Sequence, residues 1–214
     1  MGTLLLVRHG QASFGTDDYD RLTPLGERQS LNLGYAWEAG GWSPDVAMVG
    51  SLKRHHQTAI ASLDVLGDVD GYDQDAGWDE LDFEPLVDAY APGTPRDDPK
   101  GFQKAFVAAT AAWTRSELTG VAETFTDFSA RVLTAFEAVA SSVGRGQTGV
   151  VFTSGGPIAV VAAHLLGGGP DLWSRLNAAM VNTSTTKIVL GSAGRTLISF
   201  NEHGHLPASD VTYR

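Results

Sequence analysis

The chain contains no cysteine. Disulfide frameworks, cysteine-ligated zinc, iron–sulfur clusters and thiol nucleophiles are thereby excluded. It also has no apolar run near the roughly 20 residues that a membrane-spanning helix needs. The N-terminal run Leu4–Val7 is short, and no basic segment precedes it, so it does not read as a signal peptide. Gly2 is followed by Leu6 where a myristoylation motif carries Ser or Thr. Basic residues are scarce: 15 Lys and Arg stand against 25 Asp and Glu, a formal net charge of −10. Without an excess of cations, general binding to nucleic acid or to anionic membrane is not expected. A locally basic pocket is still allowed. The expectation is a cytoplasmic protein with no nucleic-acid or membrane partner. A homodimer is left open, because Trp42, Trp78, Trp113 and Trp173 read first as core and second as interface anchors.

The chain has 214 residues, 43% of them hydrophobic, which is enough for one domain with a buried core. Leu4–Val7 reads as a buried strand ending at Arg8-His9-Gly10. Gln11–Arg21 reads as a loop. Thr23-Pro24 supplies an N-cap and a first-turn proline for a helix to about Glu38, stopped by Gly40-Gly41. Val46–Val49 is a second buried strand. Ser51 is then expected to cap a helix from Lys53 to about Leu66, with Ala59, Leu63 and Leu66 on one side. Trp78–Val87 is expected to be irregular or strand-like, and the proline-rich Ala91–Lys100 a loop. Helices follow at Phe102–Leu118 and Thr124–Val143, then a strand at Gly149–Thr153 and a helix opening at Gly155-Gly156-Pro157. Asp171–Met180 is a further helix. Thr185–Leu190 and Thr196–Phe200 are expected to close as a hairpin, and the tail from Pro207 to be loosely ordered. Strands alternating with helices give an α/β protein, a three-layer α/β/α sandwich with a mainly parallel sheet. Residues 84–125 are expected to form a helical cap inserted in this single domain.

Ligands of open α/β sheets bind at the carboxyl ends of strands. Three polar segments are expected there: Arg8-His9-Gly10-Gln11, Ser51-Leu52-Lys53-Arg54-His55-His56-Gln57-Thr58-Ala59, and Thr153-Ser154-Gly155-Gly156. Together they offer guanidinium forks, an imidazole, hydroxyls and helix N-termini, a set suited to a tetrahedral oxyanion. A histidine can also carry a phosphoryl group covalently.

Val7-Arg8-His9-Gly10, followed by Ser51-Leu52-Lys53-Arg54 and Gln57-Thr58-Ala59, resembles the histidine phosphatase superfamily, in the branch that contains the cofactor-dependent phosphoglycerate mutases. Leu22-Thr23-Pro24-Leu25-Gly26-Glu27-Arg28-Gln29, Trp78-Asp79-Glu80-Leu81-Asp82-Phe83 and Val150–Ile158 match further segments of that pattern, in its order and across most of the chain. The resemblance implies a phosphoglycerate mutase-like fold and a phosphomonoester hydrolase that uses no metal or cofactor. Its substrate would be a small phosphorylated molecule. His9 would be the nucleophile that becomes phosphohistidine, with Arg8 and Arg54 holding phosphate oxygens. Glu80 would act as general acid and then base, with Asp79 and Asp82 as alternatives nearby. Gly10 would let the backbone approach the phosphate. Ser154 and the N–H of Gly155 would assist at the phosphoryl group, and Gln11 would stand within reach of the substrate. Activity would fall at low pH as His9 protonates and at high pH as Glu80 loses the proton it must donate.

One position departs from the pattern: Ser154 stands where the family normally has a second histidine. Loss of one preorganised donor costs about 10²–10³ in rate, so reduced activity is expected. His205 is the first candidate to replace that imidazole, followed by His55 and His56, which otherwise read as exposed helix residues. Ser154 also has a plain alternative role as a helix N-cap, and His164 reads as a structural histidine in an apolar helix. Three other functions are weighed. A non-catalytic binder of phosphorylated ligands would follow from Ser154 but would not need His9 and Glu80 together. A phosphoglycerate mutase is disfavoured by the absence of an obvious basic cluster in residues 92–118. A serine hydrolase using Ser154 with Asp171 or Asp210 and His203 or His205 would leave Arg8, His9 and Arg54 unexplained.

Overall fold

The computed structural model describes residues 1–13, 20–67, 71–95 and 97–213. Its centre is a six-stranded sheet: β1 (Gly2–Arg8), β2 (Val46–Val49), β3 (Asp73–Gln74), β4 (Thr148–Thr153), β5 (Thr185–Gly191) and β6 (Gly194–Glu202), in the spatial order β3-β2-β4-β1-β5-β6. The first four in that order are mutually parallel; β5 pairs antiparallel with β1, and β6 pairs antiparallel with β5 as a hairpin. The sheet is therefore mixed, with the expected parallel half. The helices are α1 (Pro24–Ala39), α2 (Lys53–Leu63), α3 (Phe83–Tyr90), α4 (Pro99–Thr114), α5 (Phe125–Ser142), α6 (Gly155–Leu165) and α7 (Pro170–Ala178).

Alternation along β1 sends Leu4 and Leu6 to one face and Leu5 and Val7 to the other. Leu5 and Val7 meet Leu33 and Trp37 of α1 and Ala59 and Leu63 of α2. Leu4 and Leu6 share a larger cluster with Phe128, Val132 and Phe136 of α5 and Ile158 of α6. Trp78, Trp113 and Trp173 lie in that cluster too. Trp113 stands edge-on to Trp173 at 5.9 Å and to Phe125 at 5.2 Å. These three tryptophans are thus core. Trp42 is half-buried against Trp37.

Three boundaries differ from expectation for identifiable reasons. Phe83–Tyr90 is a helix, not a strand. The Asp82 side chain caps it by accepting from the Glu84 N–H, and Pro85 falls in the first turn, where no N–H donor is needed. Likewise Asp98 caps α4 three residues ahead of its expected start. The same helix stops at Thr114 because Ser116 takes a left-handed φ of 59°. The C-terminal tail is tied down rather than loose. Asn182 N–H donates to Thr212 O at 2.9 Å, and Gln29 Nε2 donates to Asp210 O at 2.7 Å and to Thr212 Oγ1 at 2.8 Å. Of the expected Gln11–Arg21 loop, residues 14–19 lie outside the described residues. Its flanks are joined by Ser13 N–H to Arg21 O at 2.8 Å.

Leu86, Val87, Phe102, Ala109 and Trp113 of α3 and α4 join the larger core cluster. Among the described residues no helix is long and apolar enough to cross a membrane.

Candidate active site

The parallel strands end side by side, so His9, Gly50 and Ser154 meet at one edge of the sheet. His9 N–H donates to Thr153 O at 2.9 Å, and its carbonyl accepts from Asn182 Nδ2 at 3.1 Å and from the Thr183 N–H at 3.3 Å. Thr183 does this from a left-handed φ of 57°. A β-branched residue is strained there, at a cost of about 1–3 kcal/mol. His9 is only 7% exposed, with its ring Nδ1 2.7 Å from Gly10 O. A carbonyl can only accept, so that contact assigns the proton to Nδ1 and leaves the lone pair on Nε2. Burial, then Arg54, Arg8 and His55, push the His9 pKa well below that of an ordinary histidine, against a weaker pull from the Gly10 carbonyl. His9 is neutral at pH 7.

Gly10 N–H donates to Thr58 Oγ1 at 3.0 Å. A Cβ on Gly10 would lie 2.5 Å from Gly26 O, so its absence seats this turn on the start of α1. Gln11 is held from both ends: its N–H donates to Gln29 Oε1 at 2.8 Å, and its own Oε1 accepts from Thr23 Oγ1 at 2.9 Å.

Both predicted cations lie here. Arg8 Nη1 donates to the carbonyls of Met180 and Tyr213, the latter at 3.0 Å. Buried Arg54 pairs through Nη1 with Asp20 Oδ1 at 2.8 Å. Asp20 Oδ2 also accepts from the Lys53 N–H at 2.7 Å. The side chain that satisfies the start of α2 is thus the Asp20 carboxylate, not the Ser51 hydroxyl. Ser51 instead gives its N–H to Asp79 Oδ1 at 2.6 Å and its hydroxyl to Asp79 Oδ2.

Glu80 faces the start of α6. Its Oε2 accepts from the Gly156 N–H at 3.1 Å and its Oε1 from the Leu81 N–H at 3.0 Å. A Cβ on Gly156 would run into Glu80 Oε1, so the carboxylate needs glycine at this point. Arg131 fixes the segment from below: Nη1 donates to the carbonyls of Ala76, Gly77 and Asp79 at 3.0–3.2 Å, while Glu123 chelates Nε and Nη2 at 2.8 and 2.9 Å. Of the alternative acids, Asp79 is engaged by Ser51, and Asp82 caps α3.

Ser154 occupies the N-cap position of α6 but makes no side-chain cap hydrogen bond. Its Oγ lies 2.7 Å from His55 Nε2. His55 was expected to be exposed, yet it is fully buried, with its ring centroid 5.9 Å from that of His9. Burial, then Arg54 and His56, push its pKa well below the ordinary value. His205, the first candidate for a second imidazole, bonds Thr183 Oγ1 at 3.0 Å and is pushed by burial and by His203 to a pKa of about 4. His203 Nδ1 bonds Asn201 O. The histidine that meets Ser154 is therefore neither of those considered for a serine triad. The His56 ring lies tilted against that of Tyr72, and His164, expected to be structural, is exposed.

The sequence held a usable signal for His55. It lies four residues before Ala59, on the stripe of α2 that also buries Ser62 and Leu63. Arg131, Asp20, Asn182 and Thr183 carried no such signal, because their roles arise from contacts distant in sequence. Among the described residues no group of three or more His, Asp or Glu is arranged to hold a metal ion.

The family model of the histidine phosphatase superfamily (branch 1) matches residues 4–203. The chain belongs to that superfamily. Membership makes it an enzyme of the phosphatase class. Its fold is phosphoglycerate mutase-like. Bacillus stearothermophilus YhfR superposes with a TM-score of 0.75 at 22% identity, over 96% of this chain and 99% of that one. A phosphoserine phosphatase mutant from Entamoeba histolytica, solved with phosphoserine, gives 0.67 at 19% identity, over 97% and 100%. A mycobacterial glucosyl-3-phosphoglycerate phosphatase gives 0.67 at 21%, over 94% and 99%. No curated protein matches the chain.

Proposed function

We propose that the protein is a metal-independent phosphomonoester hydrolase that works through a phosphohistidine on His9. The observation that carries this reading is the 2.7 Å contact of His9 Nδ1 with Gly10 O in a buried, neutral ring. It leaves Nε2 basic and aimed away from its own backbone, as a nucleophile requires.

In this reading Arg8 and Arg54 draw a phosphate into the site, exchanging part of their contacts with Met180, Tyr213 and Asp20 for phosphoryl oxygens. Gln11 and the N–H of Gly155 add polar contacts, and His205 lines the rim through Thr183. His9 Nε2 attacks phosphorus in line as the ester P–O bond breaks, and Glu80 gives its proton to the leaving oxygen. Glu80 then takes a proton from water as the water oxygen bonds to phosphorus and the P–Nε2 bond breaks, which releases phosphate. Glu80 is preferred over Asp79 and Asp82 because its carboxylate meets the first turn of α6 beside Ser154, whereas Asp79 is tied to Ser51 and Asp82 caps α3. Residues 84–125 serve as the cap, and small phosphorylated molecules are the substrate class. The phosphoserine and phosphoglycerate derivatives in the names of structural relatives mark compounds to assay.

Hydrolysis of a generic arylphosphate in EDTA tests the proposal, with His9→Ala alongside. Turnover that vanishes in the variant supports it. A native protein that binds phosphate or vanadate without turnover would favour a phospho-ligand binder instead.

A further inference from the structure

We propose that Ser154 donates a hydrogen bond to the transferred phosphoryl group and that His55 is the positioning residue that holds and polarises its hydroxyl. The inference rests on the phosphohistidine reading of the site. It starts from a pair that local structure does not explain. Ser154 sits where its hydroxyl would ordinarily cap α6, and it bonds an imidazole instead. Both side chains are completely buried, where polar groups are costly unless they are matched.

The surroundings place Ser154 among the reacting groups. Thr153, just before it, accepts from the His9 backbone N–H. A Cβ on Gly155, just after it, would lie 3.8 Å from Arg8 Nε. Gly156, one further, donates to Glu80. The residues on either side of Ser154 therefore touch the nucleophile's backbone and the acid and come near Arg8. Room for the imidazole is also built in: a Cβ on Gly50 would strike His55 Nδ1 and come within 2.8 Å of Asp79 Oδ1.

Hydrogen-bond accounting gives the direction. Neutral imidazole has one N–H. His55 Nδ1 is buried with no hydrogen-bond partner among the described residues, and Asp79 Oδ1 lies 3.9 Å away, beyond hydrogen-bond range. A buried orphan acceptor is more tolerable than a buried orphan donor. The proton therefore belongs on Nε2, which donates to Ser154 Oγ. The hydroxyl hydrogen is then available to a phosphoryl oxygen, and the bond from His55 strengthens it as a donor.

The test compares native protein, Ser154→Ala, His55→Ala, the double variant and His55→Gln, by arylphosphate kinetics and by calorimetric titration with vanadate. Ser154→Ala should lower kcat about 10²–10³-fold with KM little changed. His55→Ala should lower kcat at least tenfold, and the double variant should be no worse than Ser154→Ala, because both changes remove one donor. His55→Gln, which keeps an N–H for Ser154, should retain most of the activity and carries the test if His55→Ala does not fold. Single variants within twofold of native, losses that multiply in the double variant, or covalent labelling of Ser154 by a fluorophosphonate would each overturn the proposal. An inactive native protein would sink the phosphohistidine reading separately. Vanadate affinity then decides this one: at least tenfold weaker in both single variants upholds it, and unchanged affinity overturns it.

Discussion

The two faces of the sheet are built from different materials. On the α5–α6 face, Trp113, Trp173, Phe128 and Phe136 fill the interior with apolar surface. On the α1–α2 face the apolar cluster is smaller, and Gln29, Ser30, His55, Thr58 and Ser62 are buried beside it. Apart from His55 Nδ1, each of those polar side chains has a hydrogen-bond partner. Ser62 Oγ donates to Ser30 O, Ser30 Oγ to Gly26 O, and Gln29 links Gln11 to the tail. The difference teaches where stability and chemistry reside. The aromatic face supplies burial, which is non-directional. The polar face supplies fixed donors and acceptors, which orient His9 and Ser154 but add little net stability each.

Substitutions should separate the two faces. The largest effect expected is that of His9→Ala, which should reduce arylphosphate turnover by about 10⁴-fold or more, while the urea midpoint stays near that of the native protein. The reverse case is Trp113→Ala. It should destabilise by about 3–5 kcal/mol, read by urea unfolding, while kcat per folded molecule stays within a few-fold. Large activity loss in a folded Trp113→Ala protein would break the contrast. Moving the imidazole sharpens it. Ser154→His alone should be poorly folded, because the new ring would meet His55. Ser154→His with His55→Ala should regain stability and at least a tenth of native kcat.

A smaller effect is the pH dependence of stability. The folded pKa values of His9, His55 and His205 lie below the ordinary value, with His205 at about 4. The unfolded chain therefore binds more protons below pH 6.5. Stability is full above that pH and falls as pH drops toward the folded values, by up to about 1.4 kcal/mol per pH unit for each histidine. Urea midpoints at pH 7.5 and 5.5 check this, and equal midpoints would contradict neutral burial. For the same reason the acid limb of kcat/KM should lie well below pH 6.5. The smallest effect expected is that of Arg131→Met, which should lower kcat about tenfold by loosening the segment that carries Glu80.

Much of this was legible in the residues themselves. Apolar runs marked β1, β2 and β4, the Thr23-Pro24 cap marked α1, and the apolar spacing of Phe125, Phe128, Val132, Phe136 and Val139 marked α5, because those elements depend on local pattern. The order of polar segments at strand ends located His9, Arg54 and Ser154 at one edge. Asp82 and Asp98 were harder to read, since an aspartate near a proline signals a turn and a helix start equally well. The contacts of Arg131, Asp20 and the tail were not legible at all, because nothing local distinguishes them from solvated residues. His55 falls between these cases: it shares a helical stripe with Ala59 and Leu63, but its neighbours Lys53, Arg54 and His56 made the stretch look solvated and His55 exposed.

Covalent trapping tests the central claim most directly. The protein would be mixed with a fast arylphosphate, quenched in alkali to preserve phosphoramidate, digested and mapped by mass spectrometry. A phosphoryl group on His9, absent from His9→Ala, is the predicted result. A phosphoryl group on Ser154, or turnover with no modification of His9 at any quench time, would contradict the account.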